Sequence, residues 1–431
     1  MSKVRWNSVA HVYLTIAALG FSSILATGSA SLAWASSAQF GVAPDNNLNL
    51  LSATLSSAQS EVLVNMYELK SWTIANALIA LIDRGIKVQV LLEGQPVGGW
   101  VTTQKSIAQS LQQAMAAHPR IGNNLFIMAN LSDVHARRYV YDHAKYVVVD
   151  GVRSLISSEN FASTGHPESG YVGNRGWDVV LNDLTMAQQL RSMFVSDTAT
   201  THGDIINYAG GTLAIPSHAD SLEPAAQLRG APAKSLGTGS VTSAKLITSP
   251  QSQAALVALI ASARSSLSVE ELDLPANFGT QVNPLVDAIL AAARRGVHVQ
   301  VILNDDNVFA SAAVNFLPSA LAEPRAASRV HGNLRTVQLL RTTAACEHLA
   351  LDAKIIDVSR VELTYVHNKG ILVDNQQALV SSINGTSNSM ANNREVAVLL
   401  QSSAAATYFG RFFAYDWQNS SLSPPTNLSC H

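Results

Sequence analysis

Charge is scarce in this sequence. Only 13% of its 431 residues are Asp, Glu, Lys or Arg, against about 25% in an ordinary globular chain. Lys and Arg total 28 and Asp and Glu 30, a formal net charge of -2. A surface that tracks a nucleic-acid backbone needs an excess of cations. The balance therefore argues against strong, sequence-independent attraction to nucleic acid, local basic patches aside, and suits lipid headgroups, small diesters or neutral partners. Cysteine is nearly absent. Cys346 and Cys430 form no Cys-x-x-Cys pair, which argues against a zinc ribbon or a thiol redox site. A Cys346–Cys430 disulfide is expected in an exported protein, with two unpaired thiols as the alternative. No Gly-x-Ser-x-Gly surrounds Ser157, Ser158, Ser381 or Ser382, so acyl transfer from serine has no support.

Long apolar runs are missing as well, except near the start. Lys3 and Arg5 precede an apolar stretch from Val12 to Ala26, and small residues lead to Ala33-Trp34-Ala35. This is the layout of a secretory signal peptide. Residues 1–35 are expected to be removed and the protein to be secreted or extracytoplasmic. The alternative is an uncleaved N-terminal membrane anchor, against which the run is short and carries Ser22 and Ser23.

What the sequence does contain is a duplication. "EVLVNMYELKSWTIANALIALIDRGIKVQVLLEG" from Glu61 and "SLSVEELDLPANFGTQVNPLVDAILAAARRGVHVQVILNDD" from Ser266 share one order: strand, loop, amphipathic helix, Arg-Gly, strand. The helices are expected at about 74–84 and 284–295, each closed by a C-cap glycine, Gly85 or Gly296. Strand–helix–strand at this spacing reads as a parallel βαβ unit. "GNRGWDVVLND" from Gly173 and "NNREVAVLLQS" from Asn392 each read as a polar turn and a strand. Repeat one is expected over 41–204 and repeat two over 245–420. The Gly-, Pro- and Ser-rich residues 205–244 read as a linker.

Each repeat carries a second element, "DHAKYVVVDGVRSLISSENF" from Asp142 and "VHNKGILVDNQQALVSSING" from Val366. In extended backbone, residues two apart face the same side, so His143 projects with Lys145 and His367 with Lys369. A hairpin through Asp150 or Asp374 returns Ser158 and Asn160, or Ser382 and Asn384, to the same end. An imidazole, an ammonium, a hydroxyl and an amide then surround one point, twice. This inventory fits a phosphodiester. Lysines and amides stabilise charge on the phosphoryl oxygens, one neutral imidazole attacks phosphorus, and one protonated imidazole supplies the leaving group's proton. A lysine two residues from each histidine repels a cation, so neither His143 nor His367 reads as a metal ligand.

These motifs resemble the phospholipase D superfamily signature, His-x-Lys-x4-Asp-x6-Gly-Ser-x-Asn, with Ser157 and Ser381 in place of the glycine. The resemblance implies an α/β fold of duplicated sandwich lobes around a shared active-site cleft, with no metal or other cofactor. It implies catalytic roles for His143, Lys145, Asp150, His367, Lys369 and Asp374, the aspartates in support, and phosphate binding by Lys145, Ser158, Asn160, Lys369, Ser382 and Asn384. His143 is expected as nucleophile and His367 as general acid, then base. Glu395 fits the place of a carboxylate that orients an active-site histidine, and the imidazole it touches should be the better proton donor. Repeat one has Gly176 at that place, which leaves Glu68 or another carboxylate to compensate. The expected substrate is a phospholipid headgroup ester, with transient contact at a membrane surface, transfer to an alcohol as a side reaction and no obligate protein partner. The alternatives are an exported metal-independent nuclease and a non-catalytic phosphate- or membrane-binding protein. Tyr146, Phe161, Trp177 and Tyr365 lie near the motifs as candidates for admitting a lipid, or as core.

Overall fold

The computed structural model describes residues 36–119, 121–129, 137–210, 227–230, 234–308, 332–420 and 430. The expected signal segment, residues 1–35, lies outside them. In the first half the strands are β1 (Ser36–Ala43), β2 (Glu61–Met66), β3 (Lys87–Glu93), β4 (Asn124–Met128), β5 (Lys145–Val149), β6 (Arg153–Ser157), β7 (Gly173–Asn182), β8 (Ile205–Asn207) and β9 (Gly237–Val241). In the second half they are β10 (Ser243–Ser249), β11 (Ser266–Glu271), β12 (Asn277–Phe278), β13 (Gln281–Val282), β14 (His298–Leu303), β15 (Leu351–Ile355), β16 (Leu363–Val366), β17 (Lys369–Val373), β18 (Gln377–Ser381) and β19 (Glu395–Gln401).

The duplication is exact in topology. One sheet runs β4-β3-β2-β5-β6-β7-β1 through its middle and the other β15-β14-β11-β17-β18-β19-β10. Within each, β2–β3 and β11–β14 are parallel, and the helices that join them, Trp72–Asp83 and Pro284–Arg294, cover the outer faces. The first helix begins two residues before the expected start because the Ser71 hydroxyl accepts the Ile74 N–H and caps it. Gly85 and Gly296 both follow their helices at positive φ, as a C-cap glycine must. The inner faces of both sheets, with helices Leu184–Asp197 and Ser403–Asn419, share one core in which Phe40, Trp177 and Val179 pack with Leu372, Val398 and Phe409. Strands buried on both faces, such as β5 and β17, account for the continuous apolar runs YVVV and GILV.

The expected linker is partly strand. β8 adds to β4 and β9 adds to β1, so the two ends of the connector cover opposite edges of the first sheet. The glycines that suggested flexibility serve packing. A Cβ on Gly237 would lie 2.4 Å from the Tyr408 ring, and one on Gly239 2.4 Å from Ala404 Cβ, both on helix Ser403–Asn419. Cys346 and Cys430 are joined by a disulfide.

The lobes are stitched by a crossed seam. β16 pairs with the start of β7, Val366 opposite Arg175, and Asp142 bridges Arg394 ahead of β19. This contact turns the expected polar turn at Gly173 into strand. Arg175 reaches into the second lobe and binds Asp416 in a bidentate pair at 2.6 and 2.9 Å, both side chains buried. Arg394 makes the mirror contact with Asp197 in the first lobe at 2.9 Å. Removing one partner of a buried pair costs about 3–5 kcal/mol, and loss of Asp416 would leave Arg175 only its longer carboxylate contact, with buried Asp45 at 3.4 Å. Asp416→Ala is therefore expected to lower stability by about that amount in urea unfolding, while Arg294→Ala, which breaks an exposed pair with Glu347, leaves the midpoint near wild type. Equal, small effects would contradict the clamp.

Candidate active site

The seam places the histidines. His143 N–H donates to Arg394 O at 2.8 Å and His367 N–H to Arg175 O at 2.9 Å, so each motif hangs from the opposite lobe. Each lysine then turns back on its own motif, Lys145 Nζ to His143 O at 2.8 Å and Lys369 Nζ to His367 O. All four side chains are almost fully buried and feel one another's charge. The paired motifs therefore form one site. Tyr67, which motif reading passed over, packs edge-on against His143 at 4.7 Å between centroids and lies under Lys145 Nζ at 5.2 Å. Its only signal in the sequence is its place just past the end of β2.

The imidazoles have different partners. His143 Nδ1 is 2.8 Å from Glu395 Oε2, a carboxylate of the opposite lobe. Glu395 also accepts from Ser382 Oγ at 2.7 Å, from Asn393 Nδ2 at 2.9 Å and from Ser389 Oγ. Burial pushes its pKa up, but His143, Lys145 and Ser389 outweigh burial and hold the carboxyl below its usual range. His367 Nδ1 is 3.2 Å from Glu159 Oε2, again across the lobes, but off line for a hydrogen bond. Burial raises Glu159 to about 8, against the pull of Asn174 and Lys369. Burial also lowers both imidazoles. Glu395 offsets part of this at His143, whereas Lys369, Lys145 and His143 add to it at His367, which falls well below the ordinary value. Burial, with the neighbouring ammonium, lowers Lys145 to about 7, and burial lowers Lys369 to about 8. An arriving anion restores the charge that burial disfavours.

The sequence carries a second line of identification. The family described as "Cardiolipin synthase, PLD-like domain" matches twice, over residues 51–198 and 256–417. The chain belongs to the phospholipase D superfamily. Among solved structures, phosphatidylserine synthase from Haemophilus influenzae Rd KW20 matches 91% of this chain and 90% of its own, at 12% identity and a TM-score of 0.62, which shows a shared two-lobed fold. Single-lobe matches are Nuc from Salmonella typhimurium, 17% identical over 42% of this chain and 99% of its own with a TM-score of 0.32, and NucT from Helicobacter pylori, 17% identical over 40% and 98% with a TM-score of 0.32. No curated protein matches the sequence significantly.

Several residues of the phospholipase D signature stand elsewhere than expected. Asp150 and Asp374 are outside the site. Each ends a five-residue strand that begins at the motif lysine, so about 17 Å of extended chain intervenes. Asp150 caps the entry to β2, accepting from Ser60 N, Glu61 N, Gln59 N and Ser60 Oγ, and Asp374 does the same for β11 with Arg264, Ser265 and Ser266. In the structure both aspartates support the strand entries rather than facing the histidines. Ser158 and Ser382 are fully buried and accept the N–H groups of Trp177 and Val396. Ser382 spends its hydrogen on Glu395, so it supports a carboxylate rather than a phosphate. Asn160 and Asn384 remain partly open, each with a buried Oδ1 that has no partner among the described residues. Glu68, a candidate to stand in for the residue missing at Gly176, holds Asn160 at 3.1 Å instead. Tyr146, Phe161 and Trp177 are fully buried core, and Tyr365 alone of the four candidates flanks a site histidine, 5.7 Å from the His367 ring.

The lowered pKa of Asp150 and Asp374 has a consequence for acid stability. Partial burial raises each carboxyl, but the hydrogen bonds from Glu61, Ser60 and Gln59, or from Ser266, Ser265 and Arg264, outweigh it. A carboxylate with a depressed folded pKa stabilises the fold above its unfolded pKa and loses that contribution as pH falls through the folded value. Asp150→Asn and Asp374→Asn are expected to keep turnover within a few-fold, lower stability at neutral pH, and flatten the acid limb of the stability–pH curve. A thousandfold loss of turnover in a folded variant would return these residues to the chemistry.

Proposed function

We propose that the protein is a phospholipase D-type phosphodiesterase that cleaves the phosphate–headgroup ester of a phospholipid through a phosphohistidine. The observation that carries the reading is the composite centre: two histidines, each with Nδ1 turned to a carboxylate of the opposite lobe, beside two buried lysines. His143 Nδ1 is hydrogen-bonded to Glu395, which leaves its Nε2 for substrate, and His367 Nδ1 faces Glu159 at 3.2 Å without a hydrogen bond. Two imidazoles in unequal fields suit one attack and one proton transfer.

The unequal fields argue for a division of labour opposite to the one the family resemblance implied. His143, against an ionised Glu395, is the better proton donor. His367, driven further toward neutrality, is the better nucleophile. His367 Nε2 attacks phosphorus, the P–O bond to the headgroup breaks, and the alkoxide takes the His143 proton. Water, losing its proton to His143, then displaces His367 and releases phosphatidic acid. A primary alcohol in place of water gives transfer. Lys145 and Lys369 hold the phosphoryl oxygens, where negative charge grows.

Charge supports a lipid over a nucleic acid. Arg137, Arg138, Arg175 and Arg394 are each paired with a carboxylate of the chain itself, so they form no free cationic track for a polyanion. One solved protein that matches across both repeats is described as a phosphatidylserine synthase. The expected result with phosphatidylcholine vesicles and single-stranded DNA, assayed side by side with a metal chelator present, is headgroup release and intact DNA. Rapid DNA cleavage with untouched vesicles would transfer the reading to a nuclease, and inactivity on both in folded protein would favour a binding role.

A further inference from the structure

We infer that Glu159 is the positioning residue of His367, a carboxylate relocated from the place that Gly176 occupies. The inference rests on the two-histidine chemistry proposed above. Strand register sets the equivalence. Ser157 pairs with Asp178 in the first lobe and Ser381 with Ala397 in the second, and the Arg175 and Arg394 carbonyls receive the two histidine N–H groups. Gly176 is therefore the counterpart of Glu395. By the same register Glu159, which follows Ser158, is the counterpart of Ile383, which follows Ser382. Each lobe has one glutamate and one residue that cannot act as one, in opposite order.

Space confirms the exchange. A Cβ built on Gly176 would lie 2.2 Å from Glu159 Oε1 and 2.4 Å from its Cγ. The Glu159 side chain thus fills the volume that a side chain at 176 would need. Gly176 has no left-handed φ, so the backbone itself does not require glycine there. A Cβ on Gly165 would meet the Asn160 carbonyl at 2.5 Å and Glu159 Oε2 at 2.9 Å, so the carboxylate lies in a tightly filled turn. The supporting amide is shared by both arrangements. Asn174 Nδ2 donates to Glu159 at 3.0 Å and its counterpart Asn393 donates to Glu395 at 2.9 Å.

A carboxyl oxygen near Nδ1 keeps the hydrogen on Nδ1 and leaves Nε2 bare for attack. Glu159 Oε2 stands 3.2 Å from His367 Nδ1, off line for a hydrogen bond, in a fully buried place with its own pKa raised to about 8, so on this inference it orients the ring by proximity with little gain for the imidazolium. Glu395, ionised, does more for the charged form of His143. The relocation thus bears on which histidine attacks, as well as on geometry.

The test is to write the second lobe's arrangement into the first. Glu159→Ile, Glu159→Gln, Gly176→Glu and the double variant Glu159→Ile/Gly176→Glu are compared by kcat and KM on a nitrophenyl phosphodiester and by ring 15N shifts of His367 and His143. Glu159→Ile is expected to lower kcat by about a hundredfold with KM little changed, and to shift the His367 ring away from the Nδ1–H tautomer while sparing His143. Glu159→Gln, which keeps an oxygen acceptor beside Nδ1, keeps more activity than Ile. Gly176→Glu alone has no room and does no better than Glu159→Ile. The double variant regains at least tenfold over Glu159→Ile and restores the tautomer. A folded double variant with neither recovery, or a Glu159→Ile protein with wild-type kcat and shifts, overturns the inference. If wild type turns over no phosphodiester, the function reading fails and the ring shifts, read without substrate, still decide the role of Glu159.

Discussion

The site depends on two crossed arginine–aspartate clamps. Arg175 binds Asp416 and Arg394 binds Asp197, each from one lobe into the last helix of the other. Because they sit at the start of β7 and just before β19, the same two arginines offer the backbone carbonyls that hold the histidine N–H groups. Side-chain charge fixes how the lobes meet, and backbone hydrogen bonds convert that docking into the position of the imidazoles. One lobe alone would carry a histidine and a lysine without the carbonyl or the carboxylate that orients them.

Symmetry ends at the carboxylates. Glu395 accepts four hydrogen bonds and stays ionised against His143. Glu159 is held by Asn174 and is raised by burial. Phosphoryl transfer through a covalent adduct needs an imidazole that starts neutral and another that starts protonated. In this chain the two glutamates stand at different places, Glu395 at the start of β19 and Glu159 in the turn after β6, and the two histidines meet unequal surroundings.

Much of this was legible in the sequence. The His-x-Lys pairs, the strand–helix–strand order and the Arg-Gly helix ends are local patterns, and local patterns survive into the fold. The disulfide partners were legible because only two cysteines exist. Asp150 and Asp374 stand apart from the histidines because a signature groups residues by spacing, while a strand of five residues carries its two ends far apart along the sheet. Glu159 was hidden because its relation to Gly176 passes through strand register, and its relation to His367 crosses between lobes. β9 was hidden because its glycines look like those of a loose linker, although they serve contact with Tyr408 and Ala404. Trp177 was ambiguous until its stacking on Phe409, 4.5 Å between centroids, placed it in the core.

Under the proposed mechanism, the unequal carboxylates make His367 the attacking imidazole and His143 the proton donor. Acid quench of the wild-type and His143→Ala proteins during turnover of a nitrophenyl phosphodiester, followed by mass spectrometry of the two motif peptides, tests it most directly. The leaving group needs no proton, so His143→Ala should form the adduct and stall in its hydrolysis. Phosphate is expected on the peptide that contains His367 in both proteins. Phosphate on His143 in wild type, with none trapped in His143→Ala, would contradict it.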